Sequence, residues 1–186
     1  MPVVLVAGIY ASGRSLRPLK KFLERRGWPV YLAPEQKNFA PLPELARDLR
    51  KRISKVPSPE VQIVAHSLGG LTSLAALQDS KIADQVKQVI TLGSPFQGSP
   101  AGSLAFWERN RKFLKLGSEQ LRQLTENHKI NSKFRSLHAE FDELVFPEKV
   151  TYLPGARENS TVNVPSHAGL ILAKKAWREI TARLSE

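Results

Sequence analysis

Residues 61–71 read VQIVAHSLGGL. The first five have the Val- and Ile-rich composition of a buried strand, while Leu71, Leu74, Ala75 and Gln78 further on fall at helical spacing. The change of period happens within two residues, at His66-Ser67. Small residues here could simply let a strand and a helix cross closely. Alternatively, the serine is held up at the end of a sheet to attack something.

The neighbours of the serine favour chemistry. Ala65-His66-Ser67-Leu68-Gly69 has the small-x-Ser-x-Gly form of a nucleophile elbow, with alanine in place of the first glycine. The motif has a steric origin. Its serine occupies a strained strand-to-helix turn, so the positions two before and two after must be small where the backbones approach. Alanine still fits, and a strand before with a helix after is the context the mechanism requires.

Working outward, VVLVA (3–7), VYLA (30–33) and VKQVITL (86–92) read as further short buried strands, with others expected at 133–138 and at VTYL (150–153). Helical periods lie between them. Leu16, Leu19 and Leu23 trace a helix with Ser15 as its expected N-cap, Pro18 in the first turn and Gly27 as its stop. Leu42, Leu45, Leu49 and Ile53 trace a second, and a closing helix from Ala168 carries Leu170, Ala173, Trp177, Ile180 and Leu184 on one face. Strands alternating with helices imply an α/β fold: a mostly parallel central sheet with helices on both faces, wound right-handedly. The site is then expected at the carboxyl ends of the strands. No repeat or linker divides the chain, so residues 1–186 are expected to form one domain.

A serine nucleophile needs a base to take its proton and a third group to orient that base. On this architecture both follow the serine, acid before histidine. The chain has four histidines. His66 adjoins the serine, and its side chain is expected to project elsewhere. His128 lies in the irregular segment, and His138 in or at the end of a strand. His167, in VPSHAGLI after the last strand, is the best candidate. Asp79 and Asp84 follow the helix after the elbow, on the wrong side of the sheet. Asp142, in HAEFDELVFPEKV, is therefore the candidate acid, with Glu143 as fallback. Two backbone amides must receive the oxyanion. One is expected from Leu68, directly after the serine, and the other from Ile9 in AGIYASG, where Gly8 permits the turn. Tyr10, His66, Phe96 and Trp107 are the candidate substrate-binding residues.

Composition limits the alternatives. With 41% hydrophobic and 24% charged residues, the chain resembles a globular protein rather than a disordered one. No run approaches the roughly 20 apolar residues of a spanning helix. The absence of cysteine removes disulfides, thiolate metal sites and cysteine nucleophiles. A strand begins at once in MPVVLVAG with no signal-peptide pattern ahead of it, so the cytoplasm is the expected location unless a signal was removed. The net charge of +11 suits an anionic membrane surface or nucleic acid. Its carriers lie along the outer faces of three predicted helices, however, which makes a solvated surface the simpler account. Weak association with an anionic membrane stays open, nucleic acid is not expected, and a monomer is the default.

Taken together, the motifs resemble those of the small bacterial lipases and esterases of the α/β-hydrolase fold, in particular the minimal, nearly lidless triacylglycerol-lipase type. The resemblance runs through VVLVAGIYASGRSLRPLKKFLERRGW, VAHSLGGL, ITLGSPFQGSPAG, LGSEQLRQLTEN, FDELVFP and LPGARENSTVNVPSHAGLI, in that order. It implies Ser67 as nucleophile, Asp142 as orienting acid, His167 as general base, and the amides of Ile9 and Leu68 as oxyanion hole. It further implies a small-molecule or lipid ester as substrate, with no metal or organic cofactor. One departure stands out: such lipases usually begin the oxyanion loop with His-Gly, and here Ala7 precedes Gly8.

Other readings compete. Thioester hydrolysis and acyl transfer use the same machinery. GIYASGRS (8–15) nearly matches a phosphate loop, but Arg14 stands where lysine belongs and no later strand ends in a clear magnesium-holding aspartate. A non-catalytic basic binding module on the same fold has no need of the three residues in order. Within residues 96–131, the patch Leu104, Phe106, Trp107, Phe113, Leu114 and Leu116 reads either as a short lid or acyl wall, or as a helix packed on the sheet with its charges in water.

Overall fold

The computed structural model describes residues 1–9, 14–34, 40–100 and 114–186. Six strands, β1 (Val3–Val6), β2 (Val30–Leu32), β3 (Val61–His66), β4 (Val86–Leu92), β5 (Phe134–Ala139) and β6 (Glu158–Val162), form one sheet in the order β2-β1-β3-β4-β5-β6. Every pairing is parallel. The order reverses between β1 and β3, the position at which open α/β sheets open a crevice beyond their strand ends.

Both faces of the sheet are covered, which is why β1, β3 and β5 are buried along their whole length. Alternate residues feed two cores. Val4, Val6, Ile63, Ala65, Val89 and Phe134 face α2 (Leu42–Ile53), α3 (Leu68–Ala76) and α5 (Glu119–Thr125). Val3, Leu5, Val64, Ile90, Leu92 and Leu137 face α1 (Arg17–Glu24), α7 (Gly169–Leu172) and α8 (Lys174–Leu184). Two short helices, α4 (Ser80–Gln85) and α6 (His128–Asn131), complete the connections. Among the described residues no helix is long and apolar enough to cross a membrane.

Three local expectations differ from the structure. Leu16, not Ser15, precedes α1 as its cap residue, and Pro18 in the first turn starts the helix without a side-chain cap. The last strand is Glu158–Val162, whereas VTYL belongs to a 3-10 turn (Glu148–Thr151) and its exit, where Val150, Thr151 and Leu153 are buried. As an edge strand, β6 exposes polar side chains, so it lacks the apolar run that betrays an inner strand. The closing helix is broken at Ala173, which is extended with ψ 132. The indole N–H of Trp177 donates to the Ile171 carbonyl at 2.8 Å and satisfies an acceptor that the break leaves free.

Candidate active site

Ser67 stands between β3 and α3 with φ 54 and ψ −125, and it alone has positive φ among the described non-glycine residues. Such a conformation costs about 1–3 kcal/mol and persists only where the surroundings impose it. They do so here. The Ser67 N–H donates to the Leu92 carbonyl at the end of β4 (2.9 Å), and the Ser67 carbonyl accepts from Gly70 N–H (3.0 Å). The small neighbours follow from close approach: a Cβ on Gly69 would lie 2.7 Å from the Val6 carbonyl oxygen, and one on Gly8 would lie 2.7 Å from Cβ of Ser67. The end of β1 is thus pressed against the turn.

Asp142 and His167 arrive from the loops after β5 and β6. The His167 Nδ1–H donates to Asp142 Oδ2 at 2.7 Å, with both side chains 5% exposed. The other carboxylate oxygen, Oδ1, accepts from the amides of Leu144 (2.9 Å) and Val145 (2.7 Å), which fixes the acid's orientation. Burial works to raise the Asp142 carboxyl, but the hydrogen bond from His167, its charge and the two amides together hold it below the ordinary aspartate value. Glu143 accepts the backbone N–H of His167 at 2.9 Å, so it holds the main chain of the histidine while Asp142 holds the ring.

The link between Ser67 and His167 runs through the end of β4. Leu92 binds the Ser67 amide, and the next residue, Gly93 (φ 60), lies under the imidazole: a Cβ there would sit 3.0 Å from Nδ1 and from Cε1 of His167. The arrangement therefore offers a hydroxyl on a strained turn and a buried, carboxylate-oriented imidazole at the same end of the sheet.

His66 does not project away. Its ring is 6% exposed, packs 4.5 Å from the ring of His167, and places Nε2 3.4 Å from the His167 carbonyl oxygen. Desolvation first, and the neighbouring imidazole second, lower its pKa to about 3, so His66 is neutral at physiological pH. The buried Nδ1 has no hydrogen-bond partner among the described residues and lies toward Gly8.

The remaining candidates separate clearly. Leu68 opens α3, where the first amides of a helix lack intrahelical acceptors, and Ile9 is partly buried beside the core at the end of β1. Phe96 is 1% exposed and packs edge-on against Phe134, so it is a core residue rather than an open substrate wall. Tyr10 and Trp107 lie outside the described residues. His138 is buried in β5 against Thr161 and Glu148, His128 begins α6, and Asp79 caps α4. Sequence reasoning missed Gly93, although TLGSP marked it as a strand end. It also missed the backbone contact of Glu143, which no pattern signals. Among the described residues no group of His, Asp and Glu is disposed to hold a metal ion.

The family model for the PGAP1-like alpha/beta domain matches residues 45–168, a span that contains Ser67, Asp142 and His167. The chain belongs to that family. Its backbone is similar to the mature form of Bacillus licheniformis lipase BlEst2 (TM-score 0.75, 18% identity, covering 99% of this chain and 90% of that one). It is also similar to Aspergillus fumigatus lipase B (TM-score 0.82, 17% identity, 100% of this chain), although it spans about half, 52%, of that lipase's length. The metagenomic carboxyl esterase MGS0156 matches with a TM-score of 0.74 at 17% identity over 99% of this chain and 75% of that one. At these identities the likeness is one of fold, and the fold is that of the α/β-hydrolases.

Proposed function

We propose that the chain is a serine hydrolase that cleaves carboxylic esters through an acyl-serine intermediate. The observation that carries this reading is the strained Ser67 turn beside a buried His167–Asp142 pair joined at 2.7 Å. In the first half-reaction Ser67 Oγ attacks the ester carbonyl carbon while Nε2 of His167 takes the hydroxyl proton. Asp142 keeps the proton on Nδ1 and stabilises the imidazolium. The carbonyl oxygen becomes an oxyanion held by the amides of Leu68 and Ile9, a contribution typically of about 10²- to 10³-fold per donor. The C–O bond then breaks, and the alcohol leaves with the proton from His167. Water repeats the sequence, and the carboxylic acid departs.

The rim supports a substrate with an apolar part. Phe141, Leu144 and Phe146, on the loop that carries Asp142, are 60%, 51% and 64% exposed. Side chains of this size exposed together on one loop are unusual on a surface that only meets water.

Labelling with a fluorophosphonate probe followed by peptide mapping tests the reading. The expected adduct is on Ser67, lost in Ser67→Ala and strongly reduced in His167→Ala. A folded protein that forms no adduct and hydrolyses neither acetate nor octanoate esters overturns it.

A further inference from the structure

Away from Ser67, two grooves meet on the outer surface of α2. The first, of about 510 Å³, has the core residues Leu42 and Ala46 at its floor and Pro43, Ala75, Leu124, Gln78, Gln120 and Gln123 around it. The second, of about 400 Å³, is lined by Arg47, Arg50, Lys51, Lys55 and Lys81, with Asp79 as its only acid. Arg50 lines both, so the two grooves adjoin along α2, and cationic side chains border the second. Ala75 lies about 12 Å along α3 from Ser67, at the 1.5 Å rise of a helix, which separates these grooves from the candidate active site.

The cations here are not accounted for by the protein's own needs. Asp79, whose Oδ1 accepts the amides of Lys81 and Ile82, is one carboxylate beside five cations. Arg47 reaches Asp48 and Glu44 only at 3.5 and 3.9 Å, and Arg50, Lys51, Lys55 and Lys81 form no ion pair among the described residues. Basic residues at the end of α2 do complement its dipole, but Lys81 stands in the first turn of α4, where the dipole disfavours a cation. Helix stability therefore explains part of the cluster and not its convergence.

We propose that these adjoining grooves bind a phosphate-headed amphiphile, its alkyl chain against Pro43, Ala75 and Leu124 and its phosphate among Arg50, Lys51, Lys55 and Lys81. Phosphate suits the head site because a guanidinium offers it paired donors while several lysines add charge from other directions. The adjoining apolar groove distinguishes a lipid from free phosphate, which has nothing to place there.

The test is titration of the ¹⁵N-labelled full chain with dodecyl phosphate below its micelle concentration, beside inorganic phosphate and neutral dodecyl maltoside. Dodecyl phosphate is expected to bind at least about tenfold more tightly than either comparison ligand, because each supplies only half of the complementarity. Amide shifts are expected at Arg50, Lys51, Lys55, Ala75 and Leu124. Arg50→Gln/Lys51→Gln/Lys55→Gln should lose about tenfold in affinity, while Lys174→Gln/Lys175→Gln/Arg178→Gln, with the same change of net charge, should bind as the parent does. Equal binding of dodecyl maltoside or inorganic phosphate, equal losses in both triple variants, shifts confined to Leu68 and Gly93, or dimerisation in place of ligand binding would each overturn the proposal. Because no ester hydrolysis is measured, its failure leaves the hydrolase reading untouched.

Discussion

The imidazole rings of His66 and His167 lie 4.5 Å apart, inclined at 45°, and both are buried beside the serine turn. Two adjacent buried imidazoles cannot both be protonated cheaply. His66 is the one kept neutral, while Nδ1 of His167 donates to Asp142.

That relationship makes folding stability depend on pH. The folded pKa of His66 is lowered to about 3 from an ordinary value of 6.5, so between those values the unfolded chain binds a proton that the native protein refuses. Stability is complete above the ordinary value and falls as pH drops toward the folded one, by about 2 kcal/mol between pH 7 and pH 5. Urea denaturation at both pH values should show that loss in the parent, and His66→Asn should lose about 2 kcal/mol less. Identical pH dependence in the two proteins would sink this account.

Asp142 and Glu143 both bind His167, but to different effect. In the proposed mechanism Asp142→Asn removes the charge that would fix the tautomer and stabilise the imidazolium, and kcat should fall by about 10³- to 10⁴-fold. Glu143→Gln touches only the backbone of His167 and should cost less than about tenfold, a loss of about 1.4 kcal/mol or less. Steady-state kinetics on a soluble ester separates the two, and a reversed ranking would make Glu143 the acid.

The depressed carboxyl of Asp142 has its own pH signature. Its charged form is favoured in the folded protein, so this contribution to stability is present above the ordinary aspartate range, about pH 4, and disappears as pH falls through the lower folded value. Denaturation midpoints between pH 5 and pH 3 should therefore fall more steeply in the parent than in Asp142→Asn.

Strain at Ser67 is measurable without any substrate. Glycine tolerates positive φ and alanine does not, so Ser67→Gly should be more stable than Ser67→Ala by about 1 kcal/mol after the greater chain entropy of glycine is offset. Both variants should be inactive. Equal stabilities would mean that the turn relaxes once the hydroxyl is gone.

Gly93 holds a different kind of constraint. Gly93→Ala would place a methyl group 2.9 Å from Leu170 and 3.0 Å from the His167 ring at a positive φ that alanine resists. Displacing the base by even about 1 Å costs on the order of 10²-fold in rate. The expected result is that loss in kcat, with fluorophosphonate labelling of Ser67 slowed in parallel.

The inner parts of the fold were legible because burial imposes composition. VVLVA, VQIVA and VKQVITL lie inside a sheet covered on both faces, and Leu42, Leu45, Leu49 and Ile53 repeat along the buried face of α2. Edge elements carry no such mark. Strand β6 is polar enough to pass for a loop, while VTYL, apolar enough to pass for a strand, buries Val150, Thr151 and Leu153 from a 3-10 turn and its exit. The break at Ala173 is equally silent, since alanine favours helix and nothing at the residue itself marks the change.

For the candidate site, sequence by itself determined which residues are available and in what order: a serine between small neighbours at a change of period, an acid after a later strand, a histidine before the last helix. These are local matters, since small residues, strand patterns and turns act over a few positions. Tertiary structure alone decided the company they keep. It set His167 against Asp142 across 25 residues and His66 against His167 across 101, and it buried Phe96 in the core. Such contacts arise from sheet order and loop closure, which the chain encodes only through the sum of its packing and not through any pattern at the residues concerned.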